Sequence, residues 1–427
     1  MRNVLSLVMS MTVIYTSHAL SSQVRSTSIS GSQQQQHNHR NVNNKIQQND
    51  VIPRKIRPAW IESTTTSAER IDTTRSLSPP LPPFPNGVCG GKIIEISSSE
   101  LGMTNRNIFQ QSSSNIILPP RPIQVWLPKS YITSTNSHHP VLYVHDGQNA
   151  MEDSSSWTGS SWRLTGALTR LDERNLLSKP ILLDSTNTNT EALPIVVLLP
   201  SSEGDLLLPG MRRRHLEYAD LSNPIAIAHA DFVATQLKPY IDARFRTLSH
   251  VEYTYAMGTS LGGQASMNLL LRHGNVFGAA ACLSPCFQPA TLASVVQDLG
   301  IHTLKLNKDQ HQDSNKSNLK LHKKRIYIDN GGDVDDVKVP LFDVMDHVSS
   351  RHWWNPGYWW LDTQLQPSVD VMLMALEQLK QNNILDFQWI RIPGARHNER
   401  AWAWRIDKPL LYLFGHKTAT TTTNRAK

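Results

Sequence analysis

One short stretch constrains this chain more than any other. Gly258-Thr259-Ser260-Leu261-Gly262-Gly263 lies between an apolar run at residues 253–257 and a helix-forming segment at residues 261–272. In that context a G-x-S-x-G turn forces its serine into a strained backbone conformation. The flanking glycines leave no room for side chains, so Oγ projects from the strand end. The pentapeptide alone recurs by chance in chains of ordinary composition, and the competing reading is a glycine-rich turn with an incidental serine. Strand before and helix after favour Ser260 as a nucleophile.

The same alternation runs through most of the chain. Short apolar runs at residues 92–96, 123–127, 141–144, 194–199, 253–257, 278–283, 325–328 and 387–392 read as eight strands separated by amphipathic segments. That pattern predicts an α/β fold with a mostly parallel sheet flanked by helices. Residues 225–245 carry Ile227, Phe232, Val233, Leu237 and Ile241 at helical spacing. Residues 302–324, rich in Asn, Gln, Lys and His, read as a polar surface insertion. No internal repeat and no metal-ligand spacing is found, and no cofactor is expected.

Charge and cysteine narrow the function classes. The formal charge is +7, but residues 1–84 hold nine Lys and Arg against four Asp and Glu, which leaves the remainder only slightly basic. A nucleic-acid-binding body is not expected on that distribution. Cys89, Cys282 and Cys286 are too few for a disulfide framework, and the pair around Leu283-Ser284-Pro285 reads as buried thiols without a redox role.

The leader reads in two parts. An apolar run at residues 4–15 ends in Ser17-His18-Ala19, the signature of a signal peptide over residues 1–19. The run is too short for a bilayer span, which takes about 20 residues, so no stable membrane anchor is expected. Residues 20–85 read as a disordered linker, acid-free as far as Asn49 and closing in a Pro-rich joint at residues 78–85. Secretion is the expected destination, and a plastid address through a two-part leader is the alternative. The catalytic domain is expected over residues 86–416, with a disordered tail at 417–427.

A serine hydroxyl needs a base with an accessible neutral form, which favours histidine. Of seventeen histidines, those at 37, 39, 138, 139, 302, 311 and 322 lie in polar, loop-like sequence. His397 instead follows the last strand candidate across a turn, which puts it at the sheet edge that carries Ser260; its competing role is to cap the final helix. The triad acid should follow residues 325–328, where Asp329, Asp333, Asp335 and Asp336 crowd together. Asp329 is expected to satisfy turn amides, leaving Asp333, Asp335 and Asp336 as candidates. A calcium loop is disfavoured because no Glu follows at the required distance. The oxyanion amides are expected from Leu261 and from Asp146 or Gly147, in the loop after residues 141–144. His145 is expected to make structural hydrogen bonds only.

Together these segments resemble a known family. Ile123-Gln124-Val125-Trp126-Leu127-Pro128, Val141-Leu142-Tyr143-Val144-His145-Asp146-Gly147-Gln148-Asn149, Glu217-Tyr218, Leu237-Lys238-Pro239-Tyr240-Ile241, residues 257–263, Leu283-Ser284-Pro285 and residues 394–402 look like the putative esterase family of α/β-hydrolases. This is the group of esterase D, enterochelin esterase and feruloyl esterase. The resemblance spans about residues 116–414. It implies an α/β-hydrolase fold, Ser260 as nucleophile and His397 as base. The family's Gly-Thr-Glu-Thr-Leu-Asp pattern lies without gaps on residues 331–336, which favours Asp336, with Asp335 and Asp333 as alternatives. Glu217-Tyr218 after Arg212-Arg213-Arg214 implies a buried Arg–Glu pair that shapes the pocket. The expected activity is a serine carboxylesterase acting on a small-molecule ester through a Ser-His-Asp triad and an acyl-enzyme. The alternatives are an acyltransferase with the same triad, or an inactive glycan-binding relative using Trp353, Trp354, Trp359 and Trp360. Pocket walls are expected from residues 151–162 and 351–361.

Overall fold

The computed structural model describes residues 82–102, 118–181, 189–202, 206–208, 211–297, 323–331, 365–381, 385–392, 395 and 397–416. The expected signal segment, nearly all of the linker and the polar insertion, Asp333, Asp335, Asp336, the four tryptophans at 353–360 and the C-terminal tail lie outside the described residues.

Eight strands form one sheet: β1 (Lys92–Ile96), β2 (Ile123–Leu127), β3 (Val141–His145), β4 (Ile195–Leu199), β5 (Thr254–Thr259), β6 (Ala279–Leu283), β7 (Lys324–Asn330) and β8 (Leu385–Arg391). Their spatial order is 1-2-4-3-5-6-7-8. β2 runs antiparallel to both β1 and β4, and every other neighbouring pair is parallel. This is the strand order of an α/β-hydrolase sheet with helices on its faces. The inner strands β3 (Val-Leu-Tyr-Val-His) and β4 (Ile-Val-Val-Leu-Leu) are buried at every position, as expected where both faces are covered and alternation is lost.

Side-chain parity sorts the core. Leu142, Val144, Val196, Leu198, Met257 and Leu283 project to one face. There they pack with Trp162, with Leu168 of α1 (Leu164–Glu173), and with Leu410 and Leu413 near the C-terminus. The opposite parity includes Tyr143, whose ring meets Phe277 edge-on at 5.5 Å.

The region at residues 225–245 is helical but not one regular helix. After the short α2 (Arg213–Glu217) comes α3 (Pro224–Phe232), capped by the Asn223 side chain, which accepts from the Ile225 amide. A π turn at Val233–Leu237 then leads into α4 (Lys238–Arg244). Pro239 has no N–H to give the preceding turn, and the widened turn absorbs the missing bond. Beyond these lie α5 (Leu261–Arg272), α6 (Gln366–Gln381), α7 (Glu399–Ala403) and α8 (Asp407–Phe414). Among the described residues no helix is long and apolar enough to cross a membrane.

Two boundaries move relative to the sequence reading. β7 extends through Asn330, so Asp329 lies within the strand, opposite Leu283 and Ile390. Residues 82–85, ahead of the expected domain boundary, are tied to the domain: Arg163 Nη1 donates to Phe84 O at 3.0 Å, and Phe84 packs against the core. Gly166 is needed there because a Cβ would run into the Pro85 carbonyl.

Candidate active site

The sheet reverses its winding at β3, which has β4 on one side and β5 on the other, and the carboxyl ends of the strands at such a switch point form a crevice. Three residues that directly follow neighbouring strand ends hold positive φ without being glycine: Asp146 after β3 (55°), Ser260 after β5 (55°) and Ser284 after β6 (43°). Local strain of that kind persists only where surrounding contacts determine it, and it concentrates at functional sites.

Ser260 has such contacts. Its amide donates to Leu283 O at 2.9 Å, and its carbonyl accepts from Gly263 N at 3.0 Å and Cys286 N at 3.2 Å. The turn is possible only with glycine beneath it, since a Cβ on Gly258 would run into the Gly262 backbone. Ser260 Oγ lies 2.9 Å from His397 Nε2 and 3.3 Å from Cys286 Sγ. The hydroxyl has one proton. When it donates that proton to His397, the thiol becomes the donor to Oγ, and burial keeps the thiol protonated by pushing its pKa up to about 11.

His397 is buried, with the ring of Trp402 edge-on at 5.1 Å. It does not cap the helix that follows. Asn398 does, its Oδ1 accepting from the Ala401 amide at 2.8 Å. The candidate acids Asp333, Asp335 and Asp336 lie outside the described residues, and of that cluster only Asp329 is described. It is fully buried, and its carboxylate takes Arg405 Nε at 3.1 Å, Tyr327 Oη at 3.2 Å and the Ser284 amide at 3.3 Å. Burial raises its pKa against the pull of Arg405. It satisfies a backbone amide as the sequence suggested, but from inside the strand and with a buried arginine as its main partner. Gly331, the first residue after β7, lies against Ala395, two residues before His397.

The loop after β3 holds the remaining candidates. Asp146 donates its amide to Tyr218 Oη at 3.2 Å, so that N–H is engaged within the protein. Gly147 opens a 3₁₀ turn, and a Cβ there would sit 2.6 Å from Leu198 Cβ, so only glycine permits this approach. Leu261 is the first residue of α5 and directly follows Ser260. His145 is structural, with Nδ1 2.9 Å from Ser266 Oγ and burial holding its pKa well below the usual range.

Several pairings around the site had no sequence signal. Glu217 is buried and pairs with arginine as expected. Its two-pronged partner is Arg121, with both contacts at 2.7 Å, whereas Arg213 of the arginine run approaches at 3.6 Å. Arg214 turns instead to Asp146, Nε to Oδ1 at 2.7 Å and Nη2 to Oδ2 at 2.6 Å. From the expected pocket insertion, Trp157 stands 62% exposed and donates its indole N–H to Glu399 Oε1 at 3.1 Å. Glu399 is two residues from His397, and burial raises its pKa. A buried carboxylate soon after the histidine was the only hint available.

A family model described as "Putative esterase" matches residues 114–353. No curated protein matches the chain. Among solved structures, similarity extends to a ferulic acid esterase of the anaerobic fungus Anaeromyces mucronatus, at 14% identity over 77% of this chain and 90% of that one, with a TM-score of 0.41. A siderophore hydrolase of Aspergillus nidulans matches at 13% identity over 76% and 95% of the two chains, with a TM-score of 0.44. An IroE-like serine hydrolase of Shewanella oneidensis matches at 16% identity over 76% and 80%, with a TM-score of 0.42.

Proposed function

Since the chain belongs to this esterase family, whose model matches more than half of it, the protein is a carboxylic ester hydrolase, and we propose that it works through an acyl-enzyme on Ser260. Ser260 Oγ attacks the ester carbonyl carbon while its proton passes to His397 Nε2. The carbonyl electron pair moves onto oxygen, and the amides of Leu261 and Gly147 receive that charge. Collapse of the intermediate breaks the bond to the alcohol, which leaves with the proton from His397. Water then gives a proton to the same nitrogen and adds to the acyl carbon; collapse breaks the bond to Ser260 Oγ, which takes the proton back from His397 as the acid leaves. Asp336 is proposed as the carboxylate that orients His397, with Asp335 and Asp333 as its rivals.

The observation that carries this reading is the 2.9 Å approach of His397 Nε2 to a serine held at positive φ. Gly147 is preferred over Asp146 as the second oxyanion donor because the Asp146 amide already serves Tyr218. Replacing Ser260 by Ala is expected to abolish hydrolysis of short p-nitrophenyl esters and labelling by a fluorophosphonate, with thermal unfolding almost unchanged. Retained hydrolysis refutes the proposal. Asp336→Asn is expected to cost more activity than Asp335→Asn, and the opposite ranking moves the acid by one residue. The signal reading of residues 1–19 supports export, and a mature protein that still begins at Met1 refutes it.

A further inference from the structure

We infer that Arg214 is a positioning residue for the oxyanion hole, aiming the Gly147 amide through its two-pronged grip on Asp146. The inference rests on the acyl-enzyme reading above. The Gly147 N–H lies in the peptide plane that joins residues 146 and 147, so the backbone angles of Asp146 set its direction. Those angles are φ 55° and ψ 41°, a left-handed conformation strained for most L-residues and open to Asp as a single residue where local contacts favour it.

Every group on Asp146 is held. Its carboxylate is bound at both oxygens by Arg214, its amide by Tyr218 Oη, and its carbonyl accepts from Asn149 N at 2.9 Å. Arg214 and Tyr218 come from the same place, the short helix α2 and the residue after it, and the guanidinium lies 5.3 Å from the centre of the Tyr218 ring. That helix is fixed in turn by Glu217, buried and bound at both oxygens by Arg121. One element therefore clamps the turn from two sides. The planar fork of arginine suits this grip, and a lysine would supply charge without geometry. Arg214 also neutralises a carboxylate that would otherwise oppose the negative charge forming on the substrate oxygen.

Oxyanion donors act in the transition state more than in the ground state, so loosening the clamp is expected to lower kcat and spare KM. The test compares wild type with Arg214→Lys and Arg214→Met on a p-nitrophenyl ester, with rates normalised to active sites titrated by fluorophosphonate. It adds the inhibition constant of a trifluoromethyl ketone, whose adduct with Ser260 places an oxyanion in the hole. Removing a donor outright costs about 10²–10³ in kcat, so a misaimed one is expected to cost roughly tenfold in Arg214→Lys and up to about a hundredfold in Arg214→Met. KM is expected to stay within about threefold, and the ketone's inhibition constant to rise by the factor that kcat/KM falls. Should either arginine variant fail to fold, Tyr218→Phe removes only the acceptor of the Asp146 amide and is expected to move both constants together by several-fold. A rise in KM at constant kcat, an unmoved inhibition constant beside a fallen kcat, or unchanged kinetics overturns the inference. Activity retained in Ser260→Ala would instead overturn the acyl-enzyme reading itself.

Discussion

His229 provides a test of how the chain beside the turn at Asp146 tolerates acid. It lies on α3, buried, with its ring 5.3 Å from the rings of both His145 and Tyr218. Its Nε2 has no hydrogen-bond partner among the described residues. Burial first, and then the charge of Arg121, push its pKa from the ordinary 6.5 down to about 3. Above pH 6.5 the ring is neutral whether the chain is folded or not, and the folded state keeps its full stability. Between 6.5 and 3 the unfolded chain takes up a proton that the folded chain refuses, so stability falls as pH falls. The full difference is worth about 5 kcal/mol, and about 3 kcal/mol of it is lost by pH 4.5. His229→Phe keeps an aromatic ring and removes the proton site. Urea unfolding at pH 8 and pH 4.5 is expected to show wild type losing about 3 kcal/mol more than the variant over that interval. His145 pulls in the same direction and remains in both proteins, as do the carboxylates, so only the difference between the two drops matters. Equal drops would refute the argument that His229 is held neutral by the fold.

Three further outcomes are expected. Gly258→Ala should cost about 3 kcal/mol or more in urea unfolding and abolish fluorophosphonate labelling, because its Cβ meets the Gly262 backbone rather than a movable side chain; near-wild-type stability would contradict the close crossing. Glu399→Gln should be stabilised relative to wild type at pH 8 but not at pH 4. Burial raises the folded pKa of Glu399 above the ordinary 4.5, so stability is lost as pH rises past the unfolded value; thermal melts that shift equally at both pH values would refute this. With its pKa near 11, Cys286 carries almost no thiolate at pH 7.5, so iodoacetamide should leave esterase activity intact over an hour; rapid inactivation with a carboxamidomethyl group on Cys286 would refute it.

Much of the frame was legible from residue order alone. The apolar runs of β3 and β4 read as inner strands, and Gly258-Thr259-Ser260-Leu261-Gly262 as a turn from strand to helix, and both are so in the fold. These are local properties, decided by side-chain volume and backbone sterics within a few residues. The meeting of His397 with Ser260 also follows from position, because a loop after the last parallel strand opens at the same sheet edge as the turn that carries Ser260. Its exclusion as a helix cap was not legible, since Asn398 beside it is an equally good reading until the Ala401 amide is seen to point at Asn398.

What the sequence determined by itself, then, is the sheet, the strained serine and the sheet edge that carries it. The tertiary structure decided which groups meet there. Arg121 reaches Glu217 across 96 positions and Arg214 reaches Asp146 across 68, and Cys286 comes to Ser260 from the end of the next strand. Choosing Gly147 over Asp146 likewise required Tyr218 Oη, which lies 72 positions from Asp146. Such pairings depend on the spatial order of the strands, which brings the ends of β3, β5 and β6 together. Any arginine in the run at 212–214 has the charge to bind a carboxylate, but only the folded chain puts one within 3 Å of it.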